Sequence, residues 1–346
     1  MKSVSQSIRR NVVVLMIGLL LGSAAIADDL LRADHPAHYV VKKGDTLWDI
    51  SARFLRSPWR WPEIWYVNPQ IRNPHLIYPG DRLDLVYVNG KPRLVLSRGP
   101  IKLSPHVRAH PWDGAIPTIP IGDIAPFLSR PYVLEPGQAE VAPYIVSFGN
   151  DHIVGGTGVR AYVRSLSEAD GRKFHVVRPG GPYKDADTGE ILGYEATYIG
   201  TVEATRAGDP ATVFFNSSER EAVIGDRLIP ITKDTSWTNF IPHHPGRDIT
   251  GSIIAVMNGV SQIGQYNVVV LDRGAADGLE AGHVLRIDQR GEVIRDVVTP
   301  DSRDTVKLPD EEAGLLMVFR TFDRVSFGLV LNAIRPIHVG DRVRKP

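Results

Sequence analysis

Residues 38–88 change their hydrophobic period twice in a short distance, and few folds accommodate that. "HYVV" is a run of β-formers, and Gly44 in "KKGDT" allows a tight turn at positive φ. Asp45 or Thr46 can then cap the first amides of whatever follows. Leu47, Ile50, Ser51 and Phe54 recur at helical spacing, which predicts a helix over residues 46–55 that is stopped by Pro58. A second helix is expected from Trp61-Pro62, with proline in its first turn and Glu63 near its positive end, closing at Val67-Asn68-Pro69. "LIYPGDRLDLV" supplies a Pro-Gly turn and a second strand, with Leu83, Leu85 and Tyr87 alternating against Arg82, Asp84 and Val86. The product is a small βααβ unit.

"YVVKKGDTLWDISARF", "IWYVNP" and "NPHLIYPGDRLDL", in that order, resemble a LysM domain, a module that binds the N-acetylglucosamine backbone of peptidoglycan and chitin. The stretch departs from the shortest members of that family in "RSPWRWPE" and "QIRNPHL", which are larger. The resemblance implies that glycan lies between two loops: Gly44, Asp45, Thr46 and Leu47 after the first strand, and Asn73, Pro74, His75, Leu76 and Ile77 before the second. The chemistry agrees, since an uncharged N-acetyl sugar asks for backbone donors and acceptors at its acetamido group and an apolar shelf for its methyl, rather than for ions. Taken singly, each residue also has a purely structural task open to it. Gly44 can make the turn, Asp45 and Thr46 can cap, and Leu47 and Ile77 can be core. Four of the six tryptophans fall here; Trp61 and Trp65 stand at core-like i, i+4 spacing, while Trp48 precedes Asp49 and Trp59 is expected to be the exposed ring.

The 346 residues have room for two or three domains. Forty Lys and Arg against thirty-nine Asp and Glu leave a formal charge of +1, which lacks the field of a dedicated nucleic-acid binder. Lys2, Arg9 and Arg10, the apolar run "VVVLMIGLLL" and Ala25-Ile26-Ala27 read as a signal peptide over residues 1–27, cleaved after Ala27. Its ten apolar residues fall short of the ~20 that span a bilayer, and no later run reaches that length. The expected location is the periplasm, in contact with the cell wall. With no cysteine, the chain has neither disulfides nor thiol chemistry.

Residues 89–142 are rich in proline and read as a linker, but Ile116, Ile119, Ile121, Ile124 and Phe127 are too apolar for a solvated spacer and should dock onto something. Within it only residues 121–129 look helical. Beyond it the chain contains an internal echo: "VRAYVRSLSEADGRKFHVVRPG" against "NVVVLDRGAADGLEAGHVLRID", and "ATVFFNSSEREAVIGDRLIP" against "VSFGLVLNAIRPIHVGDRVRKP". Two β repeats are therefore expected, over residues 143–231 and 251–346, each Gly-Asp-Arg being a turn into a strand. "DADTGE" has two calcium-like aspartates, Asp185 and Asp187, but Gly189 stands where the next ligand belongs, so a hairpin turn is expected. The fold class expected for the whole is α+β, a βααβ module followed by a mainly β tandem-repeat region.

Hydrolysis of the wall is the alternative function. No H-x-H or HExxH pair occurs among the eleven histidines, His243-His244 are adjacent in a Pro-rich turn, and no G-x-S-x-G elbow is present. A non-enzymatic protein with no catalytic residue, metal or cofactor is expected. The export signal, single N-terminal LysM-like segment, "AIPTIPIGDIAPFLSRP" and duplicated β region together resemble the LysM proteins that accompany the type IV pilus secretin, whose C-terminal region is related to that of the flagellar T-ring protein. That resemblance implies a peptidoglycan anchor or brace around an outer-membrane secretin ring.

Overall fold

The structure, a computed structural model, describes residues 30–65, 77–97, 116–119, 125, 127, 133–167, 171–231, 240–257, 262–299 and 303–346. The expected signal peptide, Asn73, Pro74, His75, Leu76, Ile121 and Ile124 lie outside the described residues. The chain divides into two compact units, Met1–Pro120 and Ile121–Pro346.

In the first unit, strand β1 (His38–Val40) leads through a turn into helix α1 (Leu47–Phe54). Thr46 caps it: its Oγ1 accepts from the Asp49 amide at 3.1 Å, and Asp49 Oδ2 accepts from the Thr46 amide at 3.3 Å. The helix ends at Phe54, and Pro58 opens a 3₁₀ helix (Pro58–Arg60) that runs into a one-turn helix α2 (Trp61–Ile64) with Glu63 in its first turn. Strands β2 (Arg82–Val88) and β3 (Lys91–Ser97) follow, and the sheet order is β1-β2-β3, all antiparallel. β3 falls in the stretch read from sequence as linker. Pro92 disguised it, yet β3 is an edge strand, where a residue without an N–H is tolerated. Phe54, Ile64 and Leu83 are fully buried in a core with Leu47, Ile50, Ile77, Leu94 and Ile116. Replacing Thr46 with alanine removes the Oγ1 acceptor of the Asp49 amide and is expected to cost about 1 kcal/mol, read as a lower urea midpoint of tryptophan fluorescence.

The second unit holds two rings of strands. β4 (Val133–Leu134) and a short helix α3 (Gln138–Val141) precede β5 (Tyr144–Phe148), β6 (Arg160–Arg164), β7 (Lys173–Lys184), β8 (Ile191–Arg206), β9 (Ala211–Ser218) and β10 (Arg227–Pro230). These pair antiparallel in the order β5-β6-β9-β8-β7-β10, and β10 returns to β5, with β4 flanking β8. The later strands are β11 (Thr250–Val256), β12 (Val268–Leu271), β13 (Val284–Gln289), a hairpin of β14 (Val293–Arg295) and β15 (Thr305–Lys307), then β16 (Glu311–Thr321), β17 (Ser326–Ala333) and β18 (Arg342–Arg344). They close a barrel in the order β11-β12-β17-β16-β13-β18. With the β14–β15 hairpin set aside, both rings pair their strands in one order: first, second, fifth, fourth, third, sixth. Inward residues fill each ring: Ile145, Val163, Phe174, Val176, Val202 and Phe215 in one, Ile253, Val269, Leu285, Ile287, Leu316 and Val330 in the other.

The Gly-Asp-Arg triplets all enter strands, at β2, β10 and β18. Gly80, Gly225 and Gly340 have φ of 94°, 94° and 100°, a region that L residues rarely adopt. The aspartate that follows each accepts the amide three residues earlier: Tyr78 to Asp81 at 3.0 Å, Val223 to Asp226 at 2.8 Å and His338 to Asp341 at 2.8 Å. "DADTGE" is the β7–β8 hairpin turn, with Asp185 Oδ1 accepting the amides of Asp187 and Thr188 at 2.9 and 2.8 Å. Ile116 and Ile119 are buried, and Phe127 is buried in the second unit, where its ring meets Phe327 edge-on at 6.4 Å and its carbonyl accepts from Arg320 at 2.7 Å. Among the described residues, no helix is long and apolar enough to cross a membrane.

Candidate functional site

The first loop implicated by the sequence leads into the N-terminus of α1, and of the second loop Ile77 is among the described residues. β1 passes through Val41 into the turn Lys42 to Asp45, with Gly44 at φ 91°. Asp45 braces that turn: its Oδ2 accepts from the Lys42 amide at 2.8 Å and from the Tyr39 hydroxyl at 2.9 Å. Burial, and then the carboxylate beside it, push the Tyr39 phenol up from its ordinary pKa. Arg53 stacks over the Tyr39 ring at 4.7 Å. The Pro-Gly turn that follows Ile77 is tied to the end of β1, the Val41 amide donating to the Asp81 carbonyl at 2.9 Å and the Gly80 amide to the Val41 carbonyl at 2.8 Å.

The side chains of Thr46, Leu47 and Ile77 point to structural tasks: Thr46 is the cap, and Leu47 and Ile77 are core. What this region offers a ligand is backbone. The first-turn amides of a helix have no partner within the helix. Here the Asp49 amide goes to the Thr46 cap, while Leu47 and Trp48 direct their N–H groups outward. Ile77 presents its carbonyl from the second loop. Two amide donors, one carbonyl acceptor and an apolar floor make an uncharged site. A short piece of the chain lies across it: the Ile116 amide donates to the Ile77 carbonyl at 2.8 Å, and the Leu47 and Trp48 amides donate to the carbonyls of Pro117 and Thr118 at 3.0 and 3.1 Å. Trp48 and Trp61 are buried, Trp65 packs edge-on to Trp61 at 6.1 Å, and Trp59, expected to be exposed, is half-buried.

Folding also assembles one cluster that spacing in the sequence could not disclose. His243, Glu280 and His283 bring potential ligand atoms within 4.8 Å of one another. The hydrogen bonds fix the tautomers. His283 Nδ1 accepts from the Glu280 amide at 3.1 Å, so the proton of the neutral ring is on Nε2, and His243 Nδ1 donates to the Ile241 carbonyl at 2.9 Å. Desolvation, then the neighbouring His243, pushes His283 down from its ordinary pKa. A metal on His283 would need the ring to give up either that amide bond or its Nε2 proton arrangement, so the donor set is not preorganised for an ion. Backbone bonds clip the 240–244 segment to the barrel, the His243 amide donating to the Gly282 carbonyl at 3.0 Å and the Val284 amide to the His243 carbonyl at 2.8 Å.

Residues 39–85 match the LysM domain family. A protein of Bacillus subtilis (strain 168), described as uncharacterized protein YqbP, is 42% identical over 60 residues. That similarity covers 14% of this chain and 27% of the Bacillus protein, so it speaks for the module and not for the whole.

Proposed function

From the LysM domain at residues 39–85 we propose that this protein is an exported, non-enzymatic peptidoglycan-binding protein that anchors or braces an envelope assembly. LysM domains bind peptidoglycan and N-acetylglucosamine glycans, and the observation that carries the reading is the uncharged backbone site at Leu47, Trp48 and Ile77 inside that domain. The two β rings are a duplicated unit in this reading, supported by their common order of strand pairing. Two similar surfaces suit lateral docking on a symmetric ring better than capture of a small ligand. The partner is the outer-membrane secretin of a type IV pilus, the assignment that the sequence resemblance implies, and the location is the periplasm.

The test uses purified sacculi and envelope extracts. The intact protein should sediment with sacculi and release no soluble muropeptides. Deletion of residues 38–88 should abolish sedimentation, whereas deletion of residues 143–346 should leave it intact and eliminate recovery of the secretin by crosslinking in cells. Sedimentation without residues 38–88 overturns the wall assignment, and secretin crosslinks that survive loss of the rings overturn the partner assignment.

A further inference from the structure

A secondary acetamido group offers one N–H donor, one carbonyl acceptor and a methyl group. The stretch 116–119 offers the same inventory and already uses the groove for it. Its Ile116 N–H meets the Ile77 carbonyl and the carbonyls of Pro117 and Thr118 meet the Leu47 and Trp48 amides, so adjacent residues reach from one loop to the other. The Ile116 side chain sits in the module core, and Thr118 and Ile119 are 3% and 0% exposed, which leaves sugar no route to these backbone groups while the segment is in place. Pro117 has no N–H, so the segment brings carbonyls to the helix end without stranding a donor there.

We propose that residues 116–119 are an intramolecular occupant of the glycan groove and that glycan binds only after they are displaced. This rests on the LysM groove being the glycan site, and it adds regulation to that site. The apparent dissociation constant is then the intrinsic one divided by the fraction of molecules with the segment out. Anything that draws residues 116–119 away raises affinity for the wall without touching a glycan contact.

The test compares the full-length protein with a variant carrying Ile116→Gly, Pro117→Ser, Thr118→Gly and Ile119→Ser, titrated with chitohexaose by calorimetry. The variant should bind about tenfold tighter, the gain for a groove open about a tenth of the time. A synthetic peptide of residues 112–121 added to the variant should restore the weaker affinity. Because Ile116 belongs to the module's core cluster, Ile119→Ser alone, at a buried position outside that cluster, serves as a second variant whose fold is checked by circular dichroism and which should shift affinity in the same direction. Equal affinity in all three proteins overturns the occupant, as does loss of sugar binding by a variant that remains folded by circular dichroism, which would make the segment part of the sugar site. Failure of every form, variants included, to bind chitohexaose or sacculi overturns the glycan assignment of the groove and the occupant with it.

Discussion

Replacing Phe54 with alanine should unfold the N-terminal unit and eliminate retention on sacculi, although Phe54 touches no ligand group. Its side chain is fully buried and packs with Leu47, Ile50, Ile64 and Leu83 from both helices and the sheet. A buried Phe→Ala change costs about 3–5 kcal/mol, and a small domain has roughly 5 kcal/mol or little more to lose. Loss of the core releases α1, and with it the Leu47 and Trp48 amides that only the helix end presents in register. The measurement is tryptophan emission with urea alongside sacculus sedimentation. A variant whose emission shows this unit unfolded but whose sedimentation is undiminished would place glycan binding outside it.

The parts of this fold that were legible in the sequence are those decided within a few residues. The Thr46 cap, the 3.6-residue recurrence of Leu47, Ile50 and Phe54, and the Pro-Gly turn before β2 are local rules, and α1 begins and ends within a residue of its expected span. β3 escaped because Pro92 reads as a breaker, and whether a strand lies at an edge is a property of the assembled sheet. The isoleucines of the Pro-rich stretch announced burial through their apolarity, but not that Ile116 and Pro117 would meet the very loops suspected of holding sugar. Of the candidate loop residues, Leu47 and Ile77 lie in one core, and the groups that residues 116–118 engage there are backbone atoms of Leu47, Trp48 and Ile77, which no side-chain pattern writes into a sequence. His243 and His283 meet only through a parallel bridge between distant segments. The "DADTGE" turn was readable because Asp185 caps its own loop, whereas its arginine partners lie 88, 134 and 155 positions away.

Those arginines make that turn a clasp between the two rings, and Arg273→Ala is the substitution expected to open it. Arg273 Nη1 donates to Asp185 Oδ2 at 2.9 Å and lies 3.4 Å from Asp272 Oδ1, while its Nε donates to the Thr250 carbonyl at 2.9 Å. The Asp185 and Asp272 side chains are 9% and 0% exposed, so removing the cation leaves two buried carboxylates facing each other. Breaking a buried pair from one side costs about 3–5 kcal/mol. The outer pairs, Arg342 with Asp187 and Arg324 with Glu190, are more exposed and contribute less. Amide hydrogen bonds, Thr188 first, and then the Arg273 guanidinium hold the Asp185 carboxyl well below its usual range, and Arg342 and Arg324 lower Asp187 and Glu190. Groups lowered in this way stabilise the fold fully above the unfolded carboxylate range, about pH 4, and progressively lose that effect as pH falls through the folded values. Asp272 has the opposite sign: burial raises it, so taking up a proton as pH falls favours the folded state. The Arg273→Ala deficit should therefore be largest at neutral pH and shrink as the solution is acidified below about pH 4. Urea unfolding of the two proteins from pH 7 to pH 3 measures this directly. A deficit under about 1 kcal/mol, or one that does not change with pH, would mean that the carboxylates are solvated and that Arg273 does little to hold the rings together.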